Sequence, residues 1–174
     1  MTRSPATPPL APSAATPESL FARLDALGIA VTTHAHAPVF TVEENRALRG
    51  ALPGGHCKSL FLKDKKSNLW LVVALEDTRI DLKALAGTLR AGRLSFGRPE
   101  LMAEILGVEP GAVTPFALIN ESARPVRVVL EAAMLEHDPL NYHPLKNDRT
   151  TAISPRGLRR FIEACGHEPL IVPL

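Results

Sequence analysis

Residues 56–75 decide the fold class, and they read in order HCKSLFLK, DKKS and NLWLVVAL. The first and third segments are rich in leucine, valine and aromatic residues, whereas the four residues between them are charged or polar. This pattern predicts a β-hairpin with strands His56–Lys63 and Asn68–Leu75 joined by a turn at Asp64–Ser67. The apolar run Leu69–Leu75 is far shorter than the roughly 20 residues that cross a bilayer, so we expect no membrane partner.

Upstream of the hairpin, the sequence predicts a helix, a strand and a second helix. Thr16 and Pro17 are typical of a helix start, and Gly28 ends the apolar pattern that follows them. Alternation over residues 31–36 predicts a strand. A capping-box pattern at residues 41–44 opens the second helix, which is expected to run through Leu48.

Downstream of the hairpin, helical and strand patterns alternate with turns. Helices are predicted at Asp81–Leu89, from Arg98 to Leu106, and from Ser154 to Gly166. Strands are predicted at Phe116–Asn120 and Val126–Leu130, as a pair, and at Thr150–Ile153. Strand pairs with helices between them predict an α+β fold, in which helices surround a mixed, mostly antiparallel sheet.

Composition limits the chain to a single folded domain. Residues 1–16 hold four Pro, four Ala and five Ser or Thr, which predicts a disordered tail ahead of a domain over residues 17–174. The formal net charge of +2 argues against a protein that coats nucleic acid indiscriminately, so any RNA contact must be local. Two cysteines and the absence of an apolar leader indicate reduced thiols in the cytoplasm.

Common chemistry-bearing motifs are missing from the sequence. Six histidines occur, but no CxxC or HExxH pattern does, so no metal site is predicted. GxSxG, P-loop and GxGxxG patterns are absent as well. We therefore expect neither a metal nor an organic cofactor.

Three features remain as candidate site elements. Lys58 lies inside a predicted strand, where its ammonium group must reach solvent or a cavity that suits an anionic ligand. The loop over residues 107–120 contains two Gly and two Pro, and it could aim backbone N–H groups at a carbonyl or simply form a corner. His143 lies between Pro139 and Pro144 in a loop, where a histidine is more often a surface residue than a catalytic one.

Five segments together closely resemble the YbaK/ProX superfamily of aminoacyl-tRNA editing domains, and within it the freestanding prolyl-tRNA editing proteins. The resemblance covers about residues 18–172. The segments are PVFTVEE at residues 38–44, GGHCKSLFLK at 54–63, LSFG at 94–97, LGVEPGAVTPFALIN at 106–120 and NYHPLKN at 141–147.

This resemblance implies an aminoacyl-tRNA hydrolase that removes alanine from mischarged tRNA(Pro). Its implied partners are the acceptor end of tRNA(Pro) carrying alanine and prolyl-tRNA synthetase, without DNA. The residues to which it assigns the catalytic site are Lys58, as the anchor for the terminal adenosine, and the pocket loop with Gly111, Thr114, Pro115, Phe116 and Ala117. The substrate-binding positions are Val39, Phe40, Val42, Ser59 and His143.

One departure from the family pattern limits this transfer. Related synthetase-embedded editing domains carry Gly-x-x-x-Pro-His, whereas this chain has Phe116 after Pro115. The role of that histidine therefore cannot be transferred. Two other hypotheses stay open: a deacylase for a different mischarged tRNA such as cysteinyl-tRNA(Pro), and a noncatalytic module that binds tRNA or nucleotide ends.

Overall fold

The computed structural model describes residues 7–38 and 52–174 of the chain. Its α-helices are α1 (Pro17–Ala26), α2 (Leu82–Leu89), α3 (Pro99–Leu106) and α4 (Pro155–Ala164). Its strands are β1 (Val31–Ala35), β2 (Gly55–Lys63), β3 (Leu69–Leu75), β4 (Ser95–Phe96), β5 (Val126–Glu131), β6 (Leu140–Tyr142), β7 (Arg149–Ile153) and β8 (Leu170–Val172). The predicted helix from Thr41 to Leu48 lies outside the described residues.

The strands of the described residues form one mixed sheet in the order β1-β7-β6-β2-β3-β5-β8, with β4 paired to β2. Pairings β1–β7, β6–β7, β2–β3 and β2–β4 are antiparallel, whereas β2–β6, β3–β5 and β5–β8 are parallel. The predicted fold class, helices around a mixed sheet, is confirmed.

The predicted hairpin β2–β3 is the centre of this sheet. Its turn is fixed by Asp64, whose carboxylate accepts hydrogen bonds from the backbone N–H groups of Lys66 and Asn68, each at 2.9 Å. The side-chain amide of Asn68 donates to the other carboxylate oxygen at 3.0 Å. An Asp side chain that satisfies turn N–H groups explains why a polar tetrapeptide separates the two strands.

Strand β3 is buried on both faces, as its unbroken apolar sequence requires. On one face Leu71 and Val73 belong to the main core with helices α1, α3 and α4. On the other face Trp70 and Val72 pack with Leu85 of α2. The sheet therefore lies between α2 on one face and α1, α3 and α4 on the other, and β2 shares this central position.

Strand β2 changes neighbours along one edge. Its first two residues pair in parallel with Leu140 and Asn141 of β6, and its last two pair with β4. Its other edge pairs with β3 from Cys57 to Lys63. Because β2 and β6 diverge after these first pairs, a gap opens beside Cys57 and Lys58.

The helix starts follow the predicted capping residues. Thr16 accepts the N–H of Ser19 at 3.2 Å to begin α1, and Ser154 accepts the N–H of Gly157 at 3.0 Å to begin α4. Asp81 caps α2 in the same way. Gly107, with φ of 64°, ends α3 in the left-handed conformation that favours glycine.

The prediction of a strand at Phe116–Asn120 was wrong. Residues Pro115–Ile119 form a 3-10 helix instead, and most of its residues are buried. Thr114 caps this helix by accepting the N–H of Phe116, and Pro115 supplies a φ angle that suits its first position. Strand β5 therefore pairs with β3 and β8 rather than with this segment.

Candidate active site

A cleft of about 110 Å³ lies where β2 and β6 diverge. We call it the lysine cleft. Its described lining contributes one lysine, one carboxylate side chain, two histidines, two hydroxyl groups, one thiol and one amide. The residues that line it are His56, Cys57, Lys58, Glu76, Asn141, Tyr142, His143 and Thr150. The cleft thus brings together Lys58 and His143, which are 85 positions apart in the sequence.

The Lys58 ammonium group is held by the chain that follows β3. Its Nζ donates a hydrogen bond to the backbone carbonyl of Thr78. The hydroxyl of Thr78 donates in turn to Glu131, 2.8 and 3.0 Å from the two carboxyl oxygens. Glu131 is only 2% exposed and also accepts the N–H of Leu75 at 2.9 Å. A buried carboxyl group therefore fixes the segment that positions Lys58.

His143 has a defined tautomer in this arrangement. Its Nδ1 lies 2.9 Å from the carbonyl oxygen of Arg149, and a carbonyl only accepts, so Nδ1 carries the proton. In the neutral ring Nε2 is then a hydrogen-bond acceptor. Burial lowers the pKa of His143 and the nearby His36 ring acts in the same direction, against the opposing effect of the Arg149 carbonyl. The neutral form is therefore favoured at pH 7.

Two other polar side chains of the lysine cleft stay protonated at neutral pH. Burial raises the pKa of the Cys57 thiol to about 12. Burial also raises the pKa of Tyr142 well above its ordinary value. Because the thiolate is the reactive form of cysteine, Cys57 is poorly suited to act as a nucleophile here.

The amide of Asn141 joins the two strands at the base of the lysine cleft. Its Nδ2 donates to the carbonyl oxygens of Pro53 and Gly55 at 3.0 and 3.1 Å. These bonds bridge β6 to the segment that enters β2. They explain how an asparagine that is 4% exposed is tolerated inside a three-residue strand.

A second cleft of about 260 Å³ borders the glycine-containing loop. We call it the glycine-loop cleft. Its lining residues are Leu10, Pro38, Glu109, Pro110, Ala112, Leu145, Lys146, Asn147 and Asp148. Gly111 has φ of 89°, and a Cβ at this position would lie 3.7 Å from the Asn147 amide nitrogen. The segment after β6 thus borders both clefts, with His143 in one and residues 145–148 in the other.

The backbone of this shared segment is strained at Leu145. Its φ of 71° lies in the left-handed region, which is uncommon for residues other than glycine. The Leu145 N–H donates to the His143 carbonyl at 3.0 Å, and the side chain is 4% exposed. Packing therefore holds a tight turn directly after His143. Such strain is common in segments that position functional groups.

The loop residues after Gly111 face inward. Thr114, Pro115, Phe116 and Ala117 are almost completely buried, and none is among the described residues that line either cleft. Phe116 packs edge-on against Tyr142 and Phe161, with ring centroids 6.0 and 5.5 Å apart. The N–H groups of Phe116 and Ala117 donate to the Thr114 hydroxyl and carbonyl, each at 3.2 Å. These residues support the loop from inside the core.

The other four predicted site residues are not among the described residues that line the two clefts. Ser59 is half-buried on β2. Val39, Phe40 and Val42 lie outside the described residues.

Sequence reasoning missed several residues of this site. The sequence offered one signal for Glu131, namely a charged residue directly after the apolar run of β5. Thr150 carried none, and Asn141 was included only as part of the segment NYHPLKN, since the burial of both residues depends on which strands pair.

Among the described residues, no helix is both long and apolar enough to span a membrane, and no three potential metal ligands cluster.

The comparisons with known proteins identify the class to which this fold and site belong. The protein-family model of the aminoacyl-tRNA editing domain matches residues 36–161 of this sequence. The chain belongs to this family, which confirms the resemblance seen in the sequence.

Curated relatives narrow the comparison further. The chain is 41% identical over 155 residues to the prolyl-tRNA synthetase associated domain-containing protein 1 of Bos taurus, covering 86% of this chain and 90% of the relative. It is 32% identical over 151 residues to the prolyl-tRNA editing protein ProX of Acetoanaerobium sticklandii, covering 86% and 92%.

Solved structures agree on the fold. The crystal structure of hypothetical protein APE2540 matches with a TM-score of 0.71 at 21% identity, over 88% of this chain and 97% of that one. A crystal structure described as a candidate trans-editing enzyme for prolyl tRNA synthetase matches with a TM-score of 0.69 at 20% identity, over 95% and 99%. At these identities the likeness concerns the fold.

Proposed function

We propose that the protein is a trans-editing deacylase that hydrolyses the ester of alanyl-tRNA(Pro) and so preserves the fidelity of translation. The observation that carries the proposal is the lysine cleft, where a cation at Lys58 and a neutral acceptor at His143 meet in a member of the editing-domain family. The names of the curated relatives direct the choice of tRNA toward tRNA(Pro).

Lys58 anchors the substrate in this proposal. An ammonium group has three N–H donors, and the Thr78 carbonyl takes one of them. A donor that remains can bind a phosphate or ribose oxygen of the terminal adenosine. Because Thr78 is tied to the buried Glu131, the ammonium is oriented before the substrate arrives. Such preorganisation reduces the entropy that binding must otherwise overcome.

The reaction needs positioning more than a strong nucleophile, since an aminoacyl ester is already activated. Water attacks the ester carbonyl, assisted by the ribose 2′-hydroxyl, and a tetrahedral oxyanion forms. The bond between the carbonyl carbon and the ribose oxygen then breaks, and that oxygen takes up a proton. Alanine and free tRNA(Pro) result. As a secondary contact to the tRNA end, the neutral Nε2 of His143 accepts a hydrogen bond from one of these hydroxyl groups or from the water.

The glycine-containing loop binds the carbonyl in this mechanism. The N–H groups of Ala112, Phe116 and Ala117 donate to acceptors within the loop, at Glu109 and Thr114. We therefore assign the carbonyl contact to the Gly111 end of the loop, which adjoins Asn147. Proline is excluded by steric contact with its ring, and Val39, Phe40 and Val42 are proposed to shape that boundary.

The test is deacylation of alanyl-tRNA(Pro) and prolyl-tRNA(Pro) by the wild-type protein, Lys58→Ala and Lys63→Ala. Lys63 is the matched control, because it is a half-buried lysine of the same strand outside the described lining of the lysine cleft. We expect rapid loss of the alanyl ester, a spared prolyl ester, at least a hundred-fold slower reaction for Lys58→Ala, and a change of less than three-fold for Lys63→Ala.

Two results would redirect the proposal. Hydrolysis of cysteinyl or seryl esters in preference to the alanyl ester would keep the deacylase and change its substrate. Binding of the tRNA end without cleavage of any ester would instead favour the noncatalytic module.

A further inference from the structure

His36 lies directly behind the lysine cleft. It is not among the described residues that line the cleft, but it contacts one that is: its Nε2 lies 2.8 Å from the Thr150 hydroxyl oxygen. Its ring centroid is 6.2 Å from that of His143, which also lines the cleft. Among the residues that the structure describes, these two neighbours connect His36 to the cleft.

The hydrogen bonds of His36 fix the direction of the Thr150 hydroxyl. Nδ1 of His36 lies 2.7 Å from the Ala37 carbonyl oxygen, and since a carbonyl only accepts, Nδ1 carries the ring proton. In the neutral ring Nε2 must then accept, so the Thr150 hydroxyl donates its hydrogen to His36. The lone pairs of the Thr150 oxygen remain available for another donor.

Protonation of His36 reverses this arrangement. Both ring nitrogens then carry hydrogens, so Nε2 donates to the Thr150 oxygen. The hydroxyl hydrogen of Thr150 must turn elsewhere, and the cleft changes from an acceptor to a donor at this position. Thr150 is 4% exposed, so water cannot easily replace a hydrogen bond that its hydroxyl group loses.

We propose that His36 is a positioning residue of the lysine cleft, which fixes the Thr150 hydroxyl as a hydrogen-bond acceptor for a hydroxyl or N–H group of the bound ester. This inference rests on the proposed deacylase function. With His36 neutral, Thr150 and the Nε2 atom of His143 both present acceptors in the same cleft. Thr150 and His143 are thus matched to a substrate group that donates a hydrogen bond.

The surroundings of His143 favour its neutral ring, which is the form that presents Nε2 as an acceptor. Burial lowers the pKa of His143 and the nearby His36 ring acts in the same direction, whereas the Arg149 carbonyl and Asp148 raise it. The other titratable side chains in the described lining of the cleft are His56, Cys57, Lys58, Glu76 and Tyr142, and Arg149 lies next to Thr150 on β7.

The first test does not depend on activity. Nitrogen NMR of the full chain, with ¹⁵N-labelled histidine, reports the tautomer of each ring. We expect neutral His36 to carry its proton on Nδ1, and Thr150→Val to perturb the His36 Nε2 signal. Thr33→Val, which removes a 2.8 Å hydroxyl contact with Thr151 on the same strand pair, should leave that signal unchanged. An Nε2-protonated neutral His36 would overturn the proposal.

The second test is kinetic and uses single-turnover deacylation of alanyl-tRNA(Pro). We expect His36→Ala and Thr150→Val each to lower the rate about ten-fold, and the double variant to be no slower than either one, because the two act as a unit. His36→Gln should retain more activity than His36→Ala, since its amide oxygen can accept from Thr150. His34→Gln is the matched control on β1, and it should react as the wild type does.

Rescue by the conservative variant separates positioning from mere packing. A rate of His36→Gln no higher than that of His36→Ala would show that an acceptor for the Thr150 hydroxyl is not what His36 supplies. Fully additive effects of His36→Ala and Thr150→Val would refute the coupling. If the wild type cleaves no ester, the proposed function fails, whereas the NMR result still decides the His36–Thr150 arrangement.

Discussion

Replacement of Glu131 tests how the structure positions Lys58. The Glu131 carboxyl group is 2% exposed and accepts hydrogen bonds from the Leu75 N–H and the Thr78 hydroxyl. Glu131→Leu keeps the approximate volume and removes both acceptors. The substitution therefore leaves two donors without their partner while changing the packing little.

The expected cost follows from these two donors. Leaving a buried donor unpaired costs about 1–3 kcal/mol, so one unpaired N–H and one hydroxyl that can partly reorient together cost about 3 kcal/mol. For a chain of this size, this loss corresponds to a fall in melting temperature of roughly 6–12 °C. Glu131→Gln retains one carbonyl oxygen and should lose about 1 kcal/mol.

The same substitution should also reduce activity. Thr78 loses its partner, so its carbonyl no longer fixes the Lys58 ammonium, and we expect deacylation of alanyl-tRNA(Pro) to slow about ten-fold in the folded protein. Urea unfolding and single-turnover kinetics measure the two effects, with the exposed Glu163→Gln as the control. Unchanged stability and unchanged rate in Glu131→Leu would refute the reasoning that Glu131 fixes this segment.

Two further predictions concern pH and backbone geometry. Since the pKa of His143 is lowered in the folded state, the unfolded chain binds more protons, and stability should fall as pH drops below about 6.5, the ordinary value of histidine. Urea unfolding at pH 7 and pH 5.5 should show a smaller loss of unfolding free energy for His143→Gln than for the wild type. The loss that remains is due to groups such as His167, whose pKa is also lowered. An equal loss in the two proteins would contradict the role given to His143. Gly54→Ala should prevent correct folding, because φ is 97° and the new Cβ would lie 2.2 Å from the Pro139 carbonyl oxygen. At Gly166 a new Cβ meets no atom within 4 Å, so Gly166→Ala should cost only about 1–2 kcal/mol of backbone strain. Circular dichroism and thermal unfolding compare the two, and equal losses would exclude the close contact as the cause.

Local sequence signals predicted the regular elements well where they were long. The hairpin β2–β3 and helices α1 to α4 each carried their own periodicity, caps or turn residues. The error at Phe116–Asn120 arose because five mostly apolar residues fit a buried strand and a buried 3-10 helix equally well. Thr114 and Pro115 favour the 3-10 helix, because Thr114 caps its first turn and the fixed φ angle of Pro115 suits its first position.

The shortest strands could not be predicted. Strands β4, β6 and β8 contain two or three residues each, too few to show alternation. They exist because a neighbouring strand supplies hydrogen bonds, as β2 and β7 do for β6. Asn141 illustrates this dependence, since its burial is acceptable only because Pro53 and Gly55 offer it acceptors.

The sequence by itself determined the fold class, the main hairpin, the helices with their caps and the family, because these rest on periodic patterns and on motifs within short segments. It also marked Lys58 and His143 as candidates. Only the tertiary structure decided that these two share a cleft, that Glu131 and Thr78 hold the lysine, and that His36 lies behind Thr150. These contacts join positions 20 to 114 residues apart, and their hydrogen bonds exist only once the strands have paired.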